Sequence, residues 1–82
     1  MRMIDDSRQC SLKSISLYLT PREATEIRRE LDRLLKDPEA NEHFHVYSDQ
    51  NDREVSCSII TDAKLKNIKS FNKTEQKILT EQ

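Results

Sequence analysis

Residues 20–38 read TPREATEIRRELDRLLKDP and contain the clearest structural pattern in the sequence. Thr20 and Glu23 have the spacing of a helix capping box, in which each side chain accepts a hydrogen bond from the other residue's backbone N–H. Proline suits the first helical position because its φ is already close to the helical value. Apolar residues then recur at helical spacing and form one stripe, made of Ala24, Ile27, Leu31, Leu34 and Leu35. The sequence therefore predicts an amphipathic helix that ends before Pro38.

Three stretches on either side of this helix alternate between apolar and polar residues, which is the period of a strand with one buried face. They cover residues 11–19, 42–48 and 53–61. Residues 49–52 read DQND, and Asn and Asp tolerate the positive φ of a tight turn better than other non-glycine residues. We therefore expect an α+β domain of order β-α-β-β. Its three-stranded mixed sheet has the spatial order 2-3-1 and is covered on one face by the helix.

The two ends of the chain have weaker patterns. The first nine residues are polar and unpatterned, so we predict a flexible tail at 1–9 and a single α+β domain at 10–71. Leu65, Ile68 and Phe71 have the spacing of a short helix capped by Thr61 or Asp62. Residues 72–82 are predicted to be a tail or a frayed helix, which follows a break near Asn72.

The alternation also predicts which side chains the helix leaves uncovered. The face under the helix holds the aliphatic residues of all three stretches, namely Ile15, Leu17, Leu19, Phe44, Val46, Val55, Cys57 and Ile59. The open face holds Tyr18, His43, His45, Tyr47, Glu54, Ser56, Ser58 and Ile60. Both histidines and both tyrosines of the chain thus fall on one surface. Such a face is either solvated or a protein-contact surface, where tyrosine supplies area at low entropic cost.

We expect a non-enzymatic interaction module that binds another protein, or a second copy of itself, through this open face. The expected binding residues are Tyr18, His43, His45, Tyr47 and Glu54. Glycine is absent, which removes the phosphate-cradling loops of nucleotide-binding proteins, and no nucleophile elbow is present. The sequence therefore predicts no catalytic residue and no cofactor.

Two alternative functions follow from short patterns. His43 and His45 form a His-x-His pair whose side chains point the same way on a strand, with Glu54 as a third metal ligand from the neighbouring strand. Lys69, Lys73 and Lys77 are four residues apart and would line one helical face as a nucleic-acid footprint. Residues 62–82 hold five lysines and three acidic residues, a local charge of only +2. A solvated face is therefore favoured over a nucleic-acid contact.

Charge and location give further limits. Fourteen basic and fifteen acidic residues leave a net charge of −1, although residues 39–54 hold five acids and one arginine, an acidic patch suited to a basic partner. No apolar run approaches the roughly 18 residues of a membrane span, so no membrane partner is expected. Asp5 and Asp6 occupy the place of an export signal's apolar run, and the two cysteines lack a CxxC spacing. We therefore expect a reduced, cytoplasmic chain.

Residues 19–59 resemble the small bacterial immunity proteins associated with polymorphic toxins. The residues that carry this resemblance are Leu19-Thr20-Pro21 at a helix start, His43-Phe44-His45 on a strand and Glu54-Val55 at the start of the last strand. The resemblance covers about half of the chain. It implies a non-catalytic protein that binds a toxin and blocks it.

Overall fold

The computed structural model describes residues 1–80 and contains two separate two-stranded antiparallel sheets and three α-helices. The strands are β1 (Ile4–Asp5), β2 (Cys10–Ser11), β3 (Phe44–Tyr47) and β4 (Glu54–Cys57). The helices are α1 (Pro21–Lys36), α2 (Asp62–Lys66) and α3 (Lys73–Leu79), with a 3-10 turn at Ile68–Ser70 between the last two. β1 pairs with β2, and β3 pairs with β4.

The expected three-stranded sheet of order 2-3-1 is therefore wrong. Residues 12–20 lead into α1 but belong to neither sheet. Ile15 and Leu17, which were expected under the helix, are 51% and 53% exposed. Alternation shows that a segment is compatible with a strand, but it does not specify the backbone with which that segment pairs.

Local hydrogen bonds at the N-terminus hold the start of the predicted first strand in a separate hairpin. The Asp5 carboxylate accepts from the backbone N–H groups of Ser7 and Arg8, at 3.0 and 3.1 Å, which is an Asx-type turn. Gln9 adopts a positive φ of 53°, and Cys10–Ser11 then pairs back onto Ile4–Asp5. Ser11, the first residue of the predicted first strand, thus pairs with Ile4, which the sequence placed in a flexible tail. The proposed division at residues 9 and 71 stays a prediction.

The start of α1 is confirmed in detail. The Thr20 hydroxyl accepts from the Glu23 N–H, and a Glu23 carboxylate oxygen accepts from the Thr20 N–H at 2.8 Å. Asp49 lies in the turn between β3 and β4, and its backbone N–H donates to the other Glu23 oxygen at 2.9 Å. Glu23 is only 8% exposed. One buried carboxylate therefore joins the helix start to the hairpin turn.

The β3–β4 hairpin also matches its predicted pattern. Phe44 lies opposite Cys57 and Val46 opposite Val55 on one face, while His45 lies opposite Ser56 and Tyr47 opposite Glu54 on the other. Asn51 takes the positive φ, at 57°, that closes the glycine-free turn. The Ser48 hydroxyl supports the turn by accepting from the N–H groups of Asp52 and Arg53.

The core lies between α1 and β3. Leu34, Phe44 and Val46 form its buried cluster, and four half-buried residues pack against it, namely Ile27, Leu31, Cys57 and Ile59. The predicted helix stripe is wrong at two positions, because Ala24 is exposed and Leu35 is 60% exposed. Glu23 takes the place of Ala24 in the buried stripe, because α1 is oriented with the Glu23 carboxylate facing the hairpin turn.

α2 begins where the sequence predicted a helix, but the predicted extent to Phe71 is wrong, because α2 ends at Lys66, Ile68 lies in the 3-10 turn and Phe71 is extended. Thr61 caps α2 by accepting from the Lys64 N–H, and Asn72 caps α3 through a second capping box with Glu75. The Lys64 ammonium donates to the carbonyls of Ile59 and Asn41, at 2.8 and 3.0 Å. This lysine therefore ties α2 to the chain on either side of the hairpin.

We predict that Leu34→Ala lowers the free energy of unfolding by about 2–5 kcal/mol, because Leu34 is fully buried and its truncation leaves a cavity. The neighbouring variant Leu35→Ala is the matched control and should change it by no more than about 0.5 kcal/mol. Urea denaturation measures both values. Equal losses in the two variants would contradict the observed rotation of α1.

Glu23 should also make stability depend on pH. Hydrogen bonds from the backbone N–H groups of Thr20 and Asp49 lower the pKa of Glu23. A lowered folded-state pKa stabilises the fold above the unfolded pKa, and this contribution is lost as the pH falls through the folded pKa. We therefore expect Glu23→Gln to lower the melting temperature at neutral pH, and the difference from wild type to shrink in acid.

Thermal melts followed by circular dichroism between neutral pH and the acid range test this prediction. Glu42→Gln, at an exposed position, is the control and should melt close to wild type throughout. A Glu23→Gln difference that stays constant down to the lowest pH would show that the carboxylate charge is not what stabilises the turn.

Candidate functional site

Polar residues cluster on the exposed face of the β3–β4 hairpin. His45 Nδ1 lies 2.9 Å from Glu54 Oε2 and 2.8 Å from Ser56 Oγ. His43 packs edge-to-face on His45, with ring centroids 4.8 Å apart. The structure thus brings four of the residues that were placed on the open face into one cluster, which we call the His45 cluster: His43, His45, Glu54 and Ser56.

The His45 cluster does not have the geometry of a serine–histidine–acid relay. In such a relay the serine and the acid contact different nitrogens of the imidazole ring, so that a proton can pass from one side of the ring to the other. Here Glu54 and Ser56 both contact Nδ1. The cluster therefore orders the side chains of one surface rather than activating a hydroxyl.

In the described part of the chain, the His-x-His pair does not gain a third metal ligand. Within residues 1–80, no group of three or more His, Cys, Asp or Glu side chains is placed to hold a metal ion. Glu54 is engaged by His45, and Cys57 lies on the opposite face, across from Phe44. Burial also raises the pKa of the Cys57 thiol, which favours its neutral form.

The two tyrosines lie at a second part of the exposed surface. Tyr47 is 49% exposed and lies across from Glu54 at the turn end of the hairpin. Tyr18 is 94% exposed and lies on the extended segment that leads into α1 rather than on the sheet. Residues 16–19 of this segment and Tyr47 line one groove, with Ile27, Val46 and Val55 among its apolar residues. Tyr18 and Tyr47 are thus neighbours across a groove, not partners on one sheet face.

Sequence reasoning missed the apolar residues beside Tyr18. Leu17 and Leu19 were assigned to the core, yet they are 53% and 42% exposed and line the same groove. Nothing in the alternation distinguishes a buried strand from an extended segment that lies on the surface. We call the exposed residues of this region the tyrosine groove: Leu17, Tyr18, Leu19 and Tyr47.

Charge pairing reduces the acidic patch predicted for residues 39–54. Asp49 forms a salt bridge with Arg22, which holds the pKa of this carboxyl below its usual range. Asp52 pairs with Arg53 at 3.0 Å, and Glu54 contacts His45. Two of the five acids are therefore paired with arginines within the chain, which weakens the argument for a basic partner.

The lysine stripe is interrupted. Lys69 lies in the 3-10 turn, whereas Lys73 and Lys77 lie on α3, and the extended residues Phe71 and Asn72 separate the two. The three lysines therefore do not lie along one helix, as the nucleic-acid alternative required. Among the residues that the structure describes, no helix is both long enough and apolar enough to cross a membrane.

We predict that zinc does not bind the His45 cluster at stoichiometric concentration, because the two histidines lack a third ligand in the described part of the chain. Histidine ring NMR signals recorded during a zinc titration provide the measurement. Shifts of both His43 and His45 that saturate at one equivalent, and that disappear in His43→Ala, would contradict this prediction.

No protein-family model matches this chain, and no curated protein or solved structure was found to be similar to it. The resemblance of the Leu19-Thr20-Pro21 and His43-Phe44-His45 motifs to immunity proteins consequently stays a prediction. Function has to be argued from the exposed surfaces of the chain.

Proposed function

We propose that this chain is a non-enzymatic protein-binding module whose contact surface combines the tyrosine groove with the adjoining His45 cluster. The observation that carries this proposal is the exposure of four large apolar or aromatic side chains around one groove: Leu17, Tyr18, Leu19 and Tyr47. Single exposed apolar residues are ordinary, but a contiguous apolar patch with a polar rim is typical of interaction sites.

The arrangement of the surface fits this role. Tyrosine and leucine at the centre supply area that a partner can bury, and tyrosine loses little conformational entropy when it is held in place. Glu54 lines the groove and also contacts His45 at 2.9 Å, so it connects the apolar centre to a polar rim. The two histidines and Glu54 can donate and accept hydrogen bonds at the edge of the contact.

A binding role also agrees with the chemistry of the hairpin face. The Ser56 hydroxyl and the Glu54 carboxylate compete for one nitrogen of His45, so the cluster offers a set of hydrogen-bonding groups without a proton relay. Among binding functions, the resemblance to immunity proteins implies blocking a toxin. Blocking by occlusion requires a complementary surface and no reacting group.

We expect a partner to contact Tyr18 and Tyr47 together. A photo-reactive phenylalanine analogue placed at either position should cross-link the same protein in a lysate of the organism that encodes the chain. The same analogue at Leu35 is the matched control, because this residue is also exposed and apolar but lies outside the groove. Cross-linking of one product from all three positions would indicate non-specific capture.

The cross-linked protein, once purified, allows affinity to be measured. Tyr18→Ala with Tyr47→Ala should weaken binding by more than about tenfold, since aromatic residues central to an interface dominate its energy. Leu35→Ala should leave the dissociation constant within about twofold of wild type. Unchanged affinity of the double tyrosine variant, with its circular dichroism spectrum retained, would refute the proposed surface.

A further inference from the structure

The two edges of the β3–β4 hairpin differ in their protection. On the β3 edge, the Tyr47 carbonyl accepts from Arg22 at 2.9 Å and the His43 carbonyl accepts from Arg33 at 3.4 Å. Both arginines come from α1, which packs beside β3. Cationic side chains of this kind are a common means by which proteins prevent an edge strand from pairing with another chain.

Within residues 1–80, no side chain donates to a carbonyl on the outer edge of β4, although Arg53, Glu54 and Val55 line the same groove as residues 16–19. The Ser48 N–H donates to the Arg53 carbonyl, so the backbone groups of this pair point toward each other, between the two strands. Because hydrogen-bonded and non-hydrogen-bonded pairs alternate along an antiparallel ladder, the backbone groups of Glu54 and Ser56 point away from β3. Across residues 1–80, the backbone N–H and C=O groups of Glu54 and Ser56 have no hydrogen-bond partner. Residues 54–60 read EVSCSII and contain one charge and no proline. These residues thus lack two common obstacles to strand addition, proline and clustered charge.

We infer that the β4 edge pairs antiparallel with β4 of a second copy of this chain, about a two-fold axis at Cys57. The two hairpins then form one continuous four-stranded antiparallel sheet. An isolated two-stranded hairpin is only marginally stable in water, and a domain of this length buries a smaller fraction of its surface on folding than a larger domain does. Joining two hairpins therefore replaces two two-stranded sheets with one sheet of four strands, which is more stable.

Residues 54–60, which comprise β4 and the three residues after it, are complementary to themselves in this register. Val55 lies opposite Ile59 of the second copy on the apolar face, where both residues are only half-buried in the single chain. Ser56 lies opposite Ser58 of the second copy on the polar face, where hydroxyl pairs are favourable. Glu54 lies opposite Ile60, so no like charges meet. A two-fold axis perpendicular to the sheet also keeps both α1 helices on the same side.

This inference does not depend on the proposed function. It uses the backbone edge of β4, whereas the proposed partner surface uses side chains, and Glu54 and Ser56 belong to both surfaces. Sedimentation of the purified chain tests the dimer without any other protein. The Tyr18→Ala, Tyr47→Ala variant should remain dimeric, which keeps failure of one idea distinct from failure of the other.

Two variants with substitutions at the same positions test the register. Ser56→Lys with Ser58→Lys places lysine opposite lysine across the two-fold axis and should weaken the dimer by about tenfold or more. Ser56→Lys with Ser58→Glu places opposite charges there and should leave it intact. Both variants lose the Ser56 contact to His45, so this loss does not distinguish them.

Analytical ultracentrifugation over a range of protein concentrations gives the dissociation constants. Hydrogen exchange of the Ser56 amide in the wild type supplies a second measurement, because this N–H should be protected in concentrated samples and should exchange faster on dilution. A wild-type chain that stays monomeric, an amide whose exchange does not change with concentration, or equal dissociation constants for the two variants would each overturn the inference.

Discussion

The carboxylate of Glu23 is the constraint on which the arrangement of the molecule depends. One of its oxygens completes the capping box of α1, and the other accepts from the Asp49 N–H in the hairpin turn. The carboxylate therefore fixes where α1 starts relative to the β3–β4 hairpin. Arg22 reinforces the same junction by contacting Asp49 and the Tyr47 carbonyl. With these contacts in place, α1 lies along β3, and Leu34 packs with Phe44 and Val46.

This placement of the helix explains why the hairpin is asymmetric. α1 covers the apolar face of β3 closely, whereas Val55, Cys57 and Ile59 remain half-buried. The same helix supplies the arginines that occupy the β3 edge and leaves the β4 edge without partners in the described chain. Both the tyrosine groove and the uncovered edge thus follow from one helix packing over one strand of a two-stranded sheet.

The candidate surfaces were partly accessible to sequence reasoning. His45, Tyr47, Glu54 and Ser56 share one exposed face, as the period of two predicted, because the hairpin register preserves the alternation. Tyr18 could not be placed in the same way, since its segment pairs with no strand and lies beside the hairpin. The exposure of Leu17 and Leu19 was missed for the same reason. Alternating sequence is equally compatible with a buried strand and with an extended surface segment.

The amino-acid sequence by itself determined the local features of this protein: the capped helix from Pro21, the glycine-free turn at Asn51 and the caps at Thr61 and Asn72. Each of these depends on groups only a few residues apart, so short motifs encode them. Tertiary structure alone decided the strand partners, the rotation of α1 that buries Glu23 and exposes Leu35, and the course of residues 13–20 outside both sheets. These features depend on contacts between distant segments, where several pairings satisfy the same hydrophobic pattern and only the packed chain selects one.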